Sequence, residues 1–273
     1  MLGKYLVQVK TGAPLIHSIT NYVTVNDCAN ILLACGASPI MADDALEAED
    51  ITAICGGLVI NIGTLNQHTI SSMFLAGTKA NELGHPTVLD PVGIGASNLR
   101  TRTAIDLIDE VKFSVIRGNI SEIKALASGS NGARGVDADI LDAISEETID
   151  SVVSMAKSLS LKTGAVIVIT GAIDIAATPE RVYIIRNGHP LMSRITGSGC
   201  MLSCLIGAYI TANPGNTLDA AAAATAAMGL CGEKAAGKLT SYEGNASFCR
   251  HLIDEMYLLG CEDLDAGAKF DYI

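Results

Sequence analysis

Short runs of consecutive apolar residues alternate along the chain with longer stretches in which apolar positions recur every three or four residues. The runs PLIHSI (14–19), SPIMA (38–42), GLVINIG (57–63), PTVLD (86–90), FSVIRG (113–118) and AVIVIT (165–170) predict strands. The internal ones are continuous in Val, Ile and Leu, the pattern of strands covered on both faces. IAATPE followed by RVYIIRN (175–187) predicts a hairpin. Periodicity predicts helices near 22–35, 66–84, 101–110, 121–128, 137–162, 198–212, 217–237 and 243–260. Strand and helix in alternation imply an α/β fold: a central, mostly parallel sheet joined by right-handed crossovers and flanked by helices on both faces. The last third differs. LDAAAAATAAMGLCGEKAAGKL (218–239) is alanine-rich, and small side chains permit close helix packing, so Ala220 to Ala227 are expected in the core. No linker, charge block or repeat interrupts the pattern, and residues 1–273 are expected to form a single domain.

Composition narrows the function. Hydrophobic residues make up 49% and charged residues 17%, which suits a large buried core. The formal net charge of −11 excludes a general nucleic-acid surface, which needs a basic footprint. An acidic chain that binds anionic small molecules must do so with backbone amides, a few cations and a metal ion. Neither a signal peptide in MLGKYLVQVK nor an apolar stretch of membrane-spanning length is evident, so no membrane partner is expected. The eight cysteines include no CxxC and no zinc-site spacing. They are expected to be mostly buried thiols in a reducing, cytoplasmic setting.

In open α/β sheets, ligands bind at the carboxyl ends of the strands. The residues there are Thr20 and Asn21, Met41, Gly63 and Thr64, Asp90, Arg117 to Asn119, and Thr170 to Asp174, nearly all polar or glycine. GEKAAGKL (232–239) is a decoy: it opens like a phosphate-binding P-loop, but Leu239 stands where Ser or Thr is needed, and no strand precedes it.

Five stretches carry chemistry. In RITGSGCMLSCLIGAYI (194–210) a glycine-rich turn leads into a helix whose first amides and dipole would receive a phosphate. Cys200 sits at that start, as a base, a nucleophile or a small packing residue; the helix end favours its thiolate, and nearby anions oppose it. DPVGIGAS (90–97) places Asp90 at a strand end, to hold a metal, orient phosphates or cap the turn. In RGNISEI (117–123), Arg117 offers a fork of donors to phosphate, while Asn119 and Glu122 share one helix face. Those two fit either a hydrated magnesium ion or a capping box, and the two readings are compatible. TGAID (170–174) offers the Thr170 hydroxyl and a bare amide to a nucleotide phosphate, with Asp174 closing a turn. HSITNYVTVN (17–26) crowds polar residues at the end of the first strand, and His17 reads as structural.

Taken together and in this order, HSITNYVTVN, SPIM, DPVGIGA, RGNISEI, TGAID and ITGSGCML resemble the hydroxyethylthiazole kinase family of the ribokinase-like superfamily over nearly the whole chain. The resemblance implies transfer of the ATP γ-phosphate to the hydroxyl of 4-methyl-5-(2-hydroxyethyl)thiazole, a step of thiamine biosynthesis or salvage. It implies that Arg117 and Thr170 contact ATP, Met41 and Gly197 the thiazole, and that Asp90 and Glu122 act through Mg2+. It makes Cys200 a weak general base where related sugar kinases carry an aspartate, and it implies a homotrimer with the substrate site shared between subunits. Alternatives are a kinase for another small alcohol such as hydroxymethylpyrimidine, a nucleotide-dependent dehydratase of the same superfamily, or a non-catalytic binding protein.

Overall fold

The computed structural model describes residues 1–129 and 144–273. Its centre is a nine-stranded sheet in the order β2-β1-β3-β4-β5-β6-β7-β8-β9. The strands are β1 (Leu15–Ile19), β2 (Ser38–Ile40), β3 (Gly57–Asn61), β4 (Thr87–Asp90), β5 (Val115–Asn119), β6 (Val166–Thr170), β7 (Asp174–Ala177), β8 (Val182–Ile185) and β9 (Phe270–Tyr272). Pairings from β2 through β6 are parallel and those from β6 through β9 antiparallel. Each of the six expected strands and the hairpin is present. β9, three residues long and paired to β8, was not expected.

Across β3 to β6 the two faces of the sheet differ in side-chain size. Val59, Val88, Val115, Val166 and Val168 face one core cluster. Leu58, Ile60, Leu89, Ile116, Ile167 and Ile169 face the other. On the valine face lie α1 (Gly3–Gly12), α2 (Val25–Cys35), α8 (Ser198–Ala212), α9 (Thr217–Lys238), α10 (Asn245–Leu258) and α11 (Cys261–Gly267). On the other lie α3 (Ala48–Ile54), α4 (Gln67–Leu83), α5 (Asn98–Glu110), α6 (Ile120–Ser128) and α7 (Ile149–Thr163). The expected helix over 137–162 is met by α7 from Ile149; its stretch over 137–143 lies outside the described residues. The alanines from Ala220 to Ala227 are buried, as expected, and the GEKAAGKL decoy falls in the last turns of α9 and at its end.

The direction of chain travel reverses beside β1, which pairs with both β2 and β3. Such a switch point opens a crevice at the carboxyl edge of the sheet. Register aligns Asn61 with Asp90 and Asn119 with Thr170 along that edge. α8 packs against β1, β3 and β4 and delivers its first turn to the same edge.

Candidate active site

The first turn of α8 organises the site. Its N-cap, Gly197, has φ +85°, a left-handed conformation natural to glycine, and no side chain caps the helix. The first bond back into the helix runs from the Met201 N–H to the Gly197 carbonyl. The amides of Ser198, Gly199 and Cys200 therefore lack intrahelical partners and face the positive end of the dipole. A Cβ at Gly199 would lie 2.5 Å from Nη1 of Arg117, so only glycine lets the guanidinium reach the helix start.

One cavity is lined by this turn, and a second lies on the far side of Asn61. A cleft of about 540 Å³ is lined by Arg117, Thr170, Asp174, His189, Ser198 and Gly199, among others. A smaller pocket of about 160 Å³ is lined by Met41 and Met73 together with Ser18, Thr20, Asn61 and Thr64, among others. Cys200 links them. It follows Gly199, which lines the large cleft, and its sulfur accepts from Nδ2 of Asn21 at 3.2 Å and from Nδ2 of Asn61, which lines the smaller pocket, at 3.3 Å.

These amides belong to a network with fixed directions. Asn21 Nδ2 also donates to Asn61 Oδ1 at 3.0 Å. Asn61 Nδ2 donates to Asp90 Oδ2 at 2.8 Å, and Ser203 Oγ donates to the same oxygen at 2.8 Å. Arg117 Nη1 lies 3.6 Å from it, and Arg117 Nη2 donates to the Thr170 hydroxyl at 2.5 Å. One connected set of groups thus runs from Asn21 in the first strand's loop to Thr170 at the end of β6.

Burial pushes the Asp90 carboxyl up to about 6, against the pull of the Arg117 guanidinium and with a further push from Glu122. Its Oδ1 is buried with no hydrogen-bond partner, although Oδ2 is crowded with donors. A buried lone pair without a donor suits a cation or its water. The sequence predicts opposing influences on the Cys200 thiol. Burial, then the Asp90 carboxylate, push it up, so the thiol form prevails over the thiolate that the helix start alone would favour. Burial likewise pushes Asp174 to about 7, despite its hydrogen bond from the Gly171 amide at 2.9 Å.

Glu122 forms the expected capping box: Asn119 Oδ1 accepts the Glu122 N–H, and Glu122 Oε2 accepts the Asn119 N–H, each at 2.8 Å. Glu122 Oε1 reaches across to the Gly93 N–H at 2.9 Å. Among the described residues no cluster of three or more acidic, histidine or cysteine side chains could cage a metal. Magnesium does not require one, because it keeps several waters and uses one or two carboxylates plus substrate phosphates. Asp90 and Glu122 fit that donor set, with Glu122 suited to reach the ion through water since both its oxygens already serve amides.

The structure therefore gathers Cys200, Asp90, Arg117, Thr170 and Glu122 on one edge, with Met41 in the adjoining pocket and Gly197 at the head of α8. His17 is structural, as expected. Its ring nitrogens meet Thr52 Oγ1 at 2.9 Å and the Ala42 carbonyl at 2.8 Å, and burial pushes its pKa down. Those contacts hold the loop that carries Met41. The sequence reading missed Asn61 and Ser203, which are embedded in apolar runs. The available signal was a polar residue where neighbours on both sides are core-forming.

The family model for the hydroxyethylthiazole kinase family matches residues 6–262. Hydroxyethylthiazole kinase of Clostridium acetobutylicum is 58% identical over 271 residues, 99% of each chain. The solved structure of hydroxyethylthiazole kinase protein from Pyrococcus horikoshii superposes with a TM-score of 0.88 at 33% identity, covering 100% of this chain and 98% of that one. A ribokinase-like superfamily protein from Enterococcus faecalis, at 13% identity and a TM-score of 0.61 over 92% of this chain and 89% of its own, shares the fold.

Proposed function

The chain belongs to the hydroxyethylthiazole kinase family, and on that premise we propose that it transfers the γ-phosphoryl group of ATP to the primary hydroxyl of 4-methyl-5-(2-hydroxyethyl)thiazole. The observation that carries this reading is the link through Cys200 between the two cavities. Ser198 and Gly199 face the larger cleft, and the next residue, Cys200, is hydrogen-bonded to Asn61, which lines the smaller pocket. A phosphoryl donor and a small alcohol bound there would meet at the first turn of α8.

ATP would occupy the larger cleft, with Arg117 and Thr170 on its phosphates. The α8 amides would receive the migrating phosphoryl as charge spreads over its oxygens. Asp90 and Glu122 would hold a hydrated Mg2+, which would supply positive charge against the phosphates. The thiazole ring would lie in the smaller pocket beside Met41, whose thioether suits an aromatic edge, and Gly197, the N-cap of α8, would contact it. The two asparagine amides orient Cys200 toward the hydroxyl. Transfer through a loose transition state leaves the hydroxyl proton in place until late. The minor thiolate form of Cys200 then suffices to take it, which makes this a weak general base.

The same reading makes the protein a single catalytic domain that works as a homotrimer in the cytoplasm. The eight cysteines are all free. No helix among the described residues is long and apolar enough to cross a membrane. The test is an ADP-release assay with ATP and magnesium, paired with mass detection of the phosphate ester. Thiazole alcohol should stimulate ADP release and yield one ester per ADP. Hydroxymethylpyrimidine supplied in its place should give at most a trace. The opposite preference would make the chain a kinase for a different alcohol.

A further inference from the structure

Arg100 stands in the first turn of α5, at the third residue after the N-cap Ser97. A cation there opposes the helix dipole. Among the described residues no carboxylate lies within ion-pair distance of it. Its guanidinium donates instead to three backbone carbonyls: Nη1 to Ile62 at 2.9 Å and to Val92 at 2.7 Å, and Nη2 to Gly63 at 2.6 Å. Two of these belong to the loop after β3 and one to the turn after β4.

The partners of the same peptide units make the arrangement specific. In the unit joining Ile62 to Gly63, Arg100 holds the carbonyl and Asn61 Oδ1 accepts the N–H at 2.9 Å. In the unit joining Val92 to Gly93, Arg100 holds the carbonyl and Glu122 Oε1 accepts the N–H at 2.9 Å. Each unit is thus held at both ends. The first leads into the smaller pocket through Asn61 and Thr64. The second belongs to the Asp90–Gly93 turn on the phosphate side. Among the described residues Arg100 bonds to both, and it lines neither cavity.

We propose that Arg100 is a positioning residue for phosphoryl transfer: by tying the loop after β3 to the turn after β4, it sets the spacing between the bound alcohol and the bound phosphates. This rests on the kinase reading above. Charge-assisted bonds from a rigid fork resist displacement in a way a flexible ammonium does not. A change of about 1 Å in the approach of the reacting atoms costs on the order of 100-fold in rate. Loss of the tie therefore slows transfer while leaving each substrate able to bind its own half of the site. It also lets water compete with the displaced alcohol.

The experiment compares wild type, Arg100→Ala and Arg100→Lys with ATP, magnesium and thiazole alcohol. In Arg100→Ala, kcat should fall on the order of 100-fold, with both KM values changed far less. ADP released per ester formed should rise from near one to several. Arg100→Lys, which lacks the fork, should lie between, and it carries the test if the alanine variant does not fold. Hydrogen exchange at the Gly63 and Gly93 amides should quicken together in either folded variant. A folded variant with wild-type kcat and a ratio near one overturns the inference, as does a loss confined to KM or exchange that quickens at only one of the two glycines. Absence of ester from wild type overturns the substrate reading instead, and the exchange measurement still decides whether the tie exists.

Discussion

Cys200 carries the most chemistry per atom in this site, and its environment sets what it can do. Two amide N–H groups point at the sulfur, yet burial and the Asp90 carboxylate keep it a thiol. Replacing Cys200 with Asp supplies a group of much lower intrinsic pKa, so more of it is ionised than of the thiol in the same surroundings, and should keep or raise kcat. Cys200→Ala should lower kcat toward the small end of the ~100- to ~10,000-fold that a positioned base contributes. A folded, inactive Asp variant would remove the base role. Asp174 offers a separate test. Its folded pKa is raised from 3.8 to about 7, so between those values the folded chain holds more protons than the unfolded one. Its contribution to stability is full below about pH 4 and is lost as pH rises toward 7. In urea melts across that range, Asp174→Asn should flatten the decline seen in wild type; parallel pH slopes would refute the assignment. Residues such as Asp90, Arg117 and Thr170 were legible because they stand where an apolar run stops. Asn61 and Ser203 were not, because a residue inside an apolar run gives no local hint of which buried group it meets. Their partner, Asp90, is 29 and 113 positions away in sequence.

At the scale of elements, legibility followed length. Every strand followed by a long helix was readable, because both periods had room to accumulate. α3 and α11 span seven residues each, too few for a period to register, and β9 has three; β2 is as short but stands in the longer apolar run SPIMA. α1 is a different case: Leu2, Tyr5, Leu6 and Val9 carry helical spacing and are buried, yet the helix was not expected. The division of the sheet into a valine face and a leucine and isoleucine face was also hidden, since it depends on which side each strand turns to which helix. It explains how α8 comes close enough to present its amides. Gly207 lies over Val59, and a Cβ placed there would be 2.5 Å from Val59 Cγ2. In an exposed helix, Gly→Ala gains up to about 1 kcal/mol from propensity. Here the overlap outweighs it, because overpacking costs about 1–3 kcal/mol. Gly207→Ala should therefore lower the melting temperature, and by lifting α8 it should also raise the ATP KM. A variant more stable than wild type would mean that α8 does not sit this tightly on the sheet.

The whole molecule poses its question at the rim of the smaller pocket. Tyr22, which lines that pocket, is 78% exposed, Val23 is 57% exposed, and Leu46, on the loop that follows Met41, is 95% exposed. Exposed apolar side chains on the segments that line a binding site suit a surface covered by another protein surface. The trimer implied by the family resemblance would cover it with a neighbouring subunit and exclude water from the alcohol. Water exclusion matters because an open pocket would let solvent take the phosphoryl group in place of the substrate. Light scattering on the purified protein should then give three times the chain mass of 28.3 kDa. Leu46→Glu places a charge on that rim without touching the nucleotide cleft. It should shift the mass toward one chain and raise the KM for the alcohol several-fold, while the KM for ATP stays near wild type. A wild-type protein that remains a monomer with full activity would show that each chain completes its own pocket, and a Leu46→Glu protein that raises both KM values equally would place this rim outside the acceptor site.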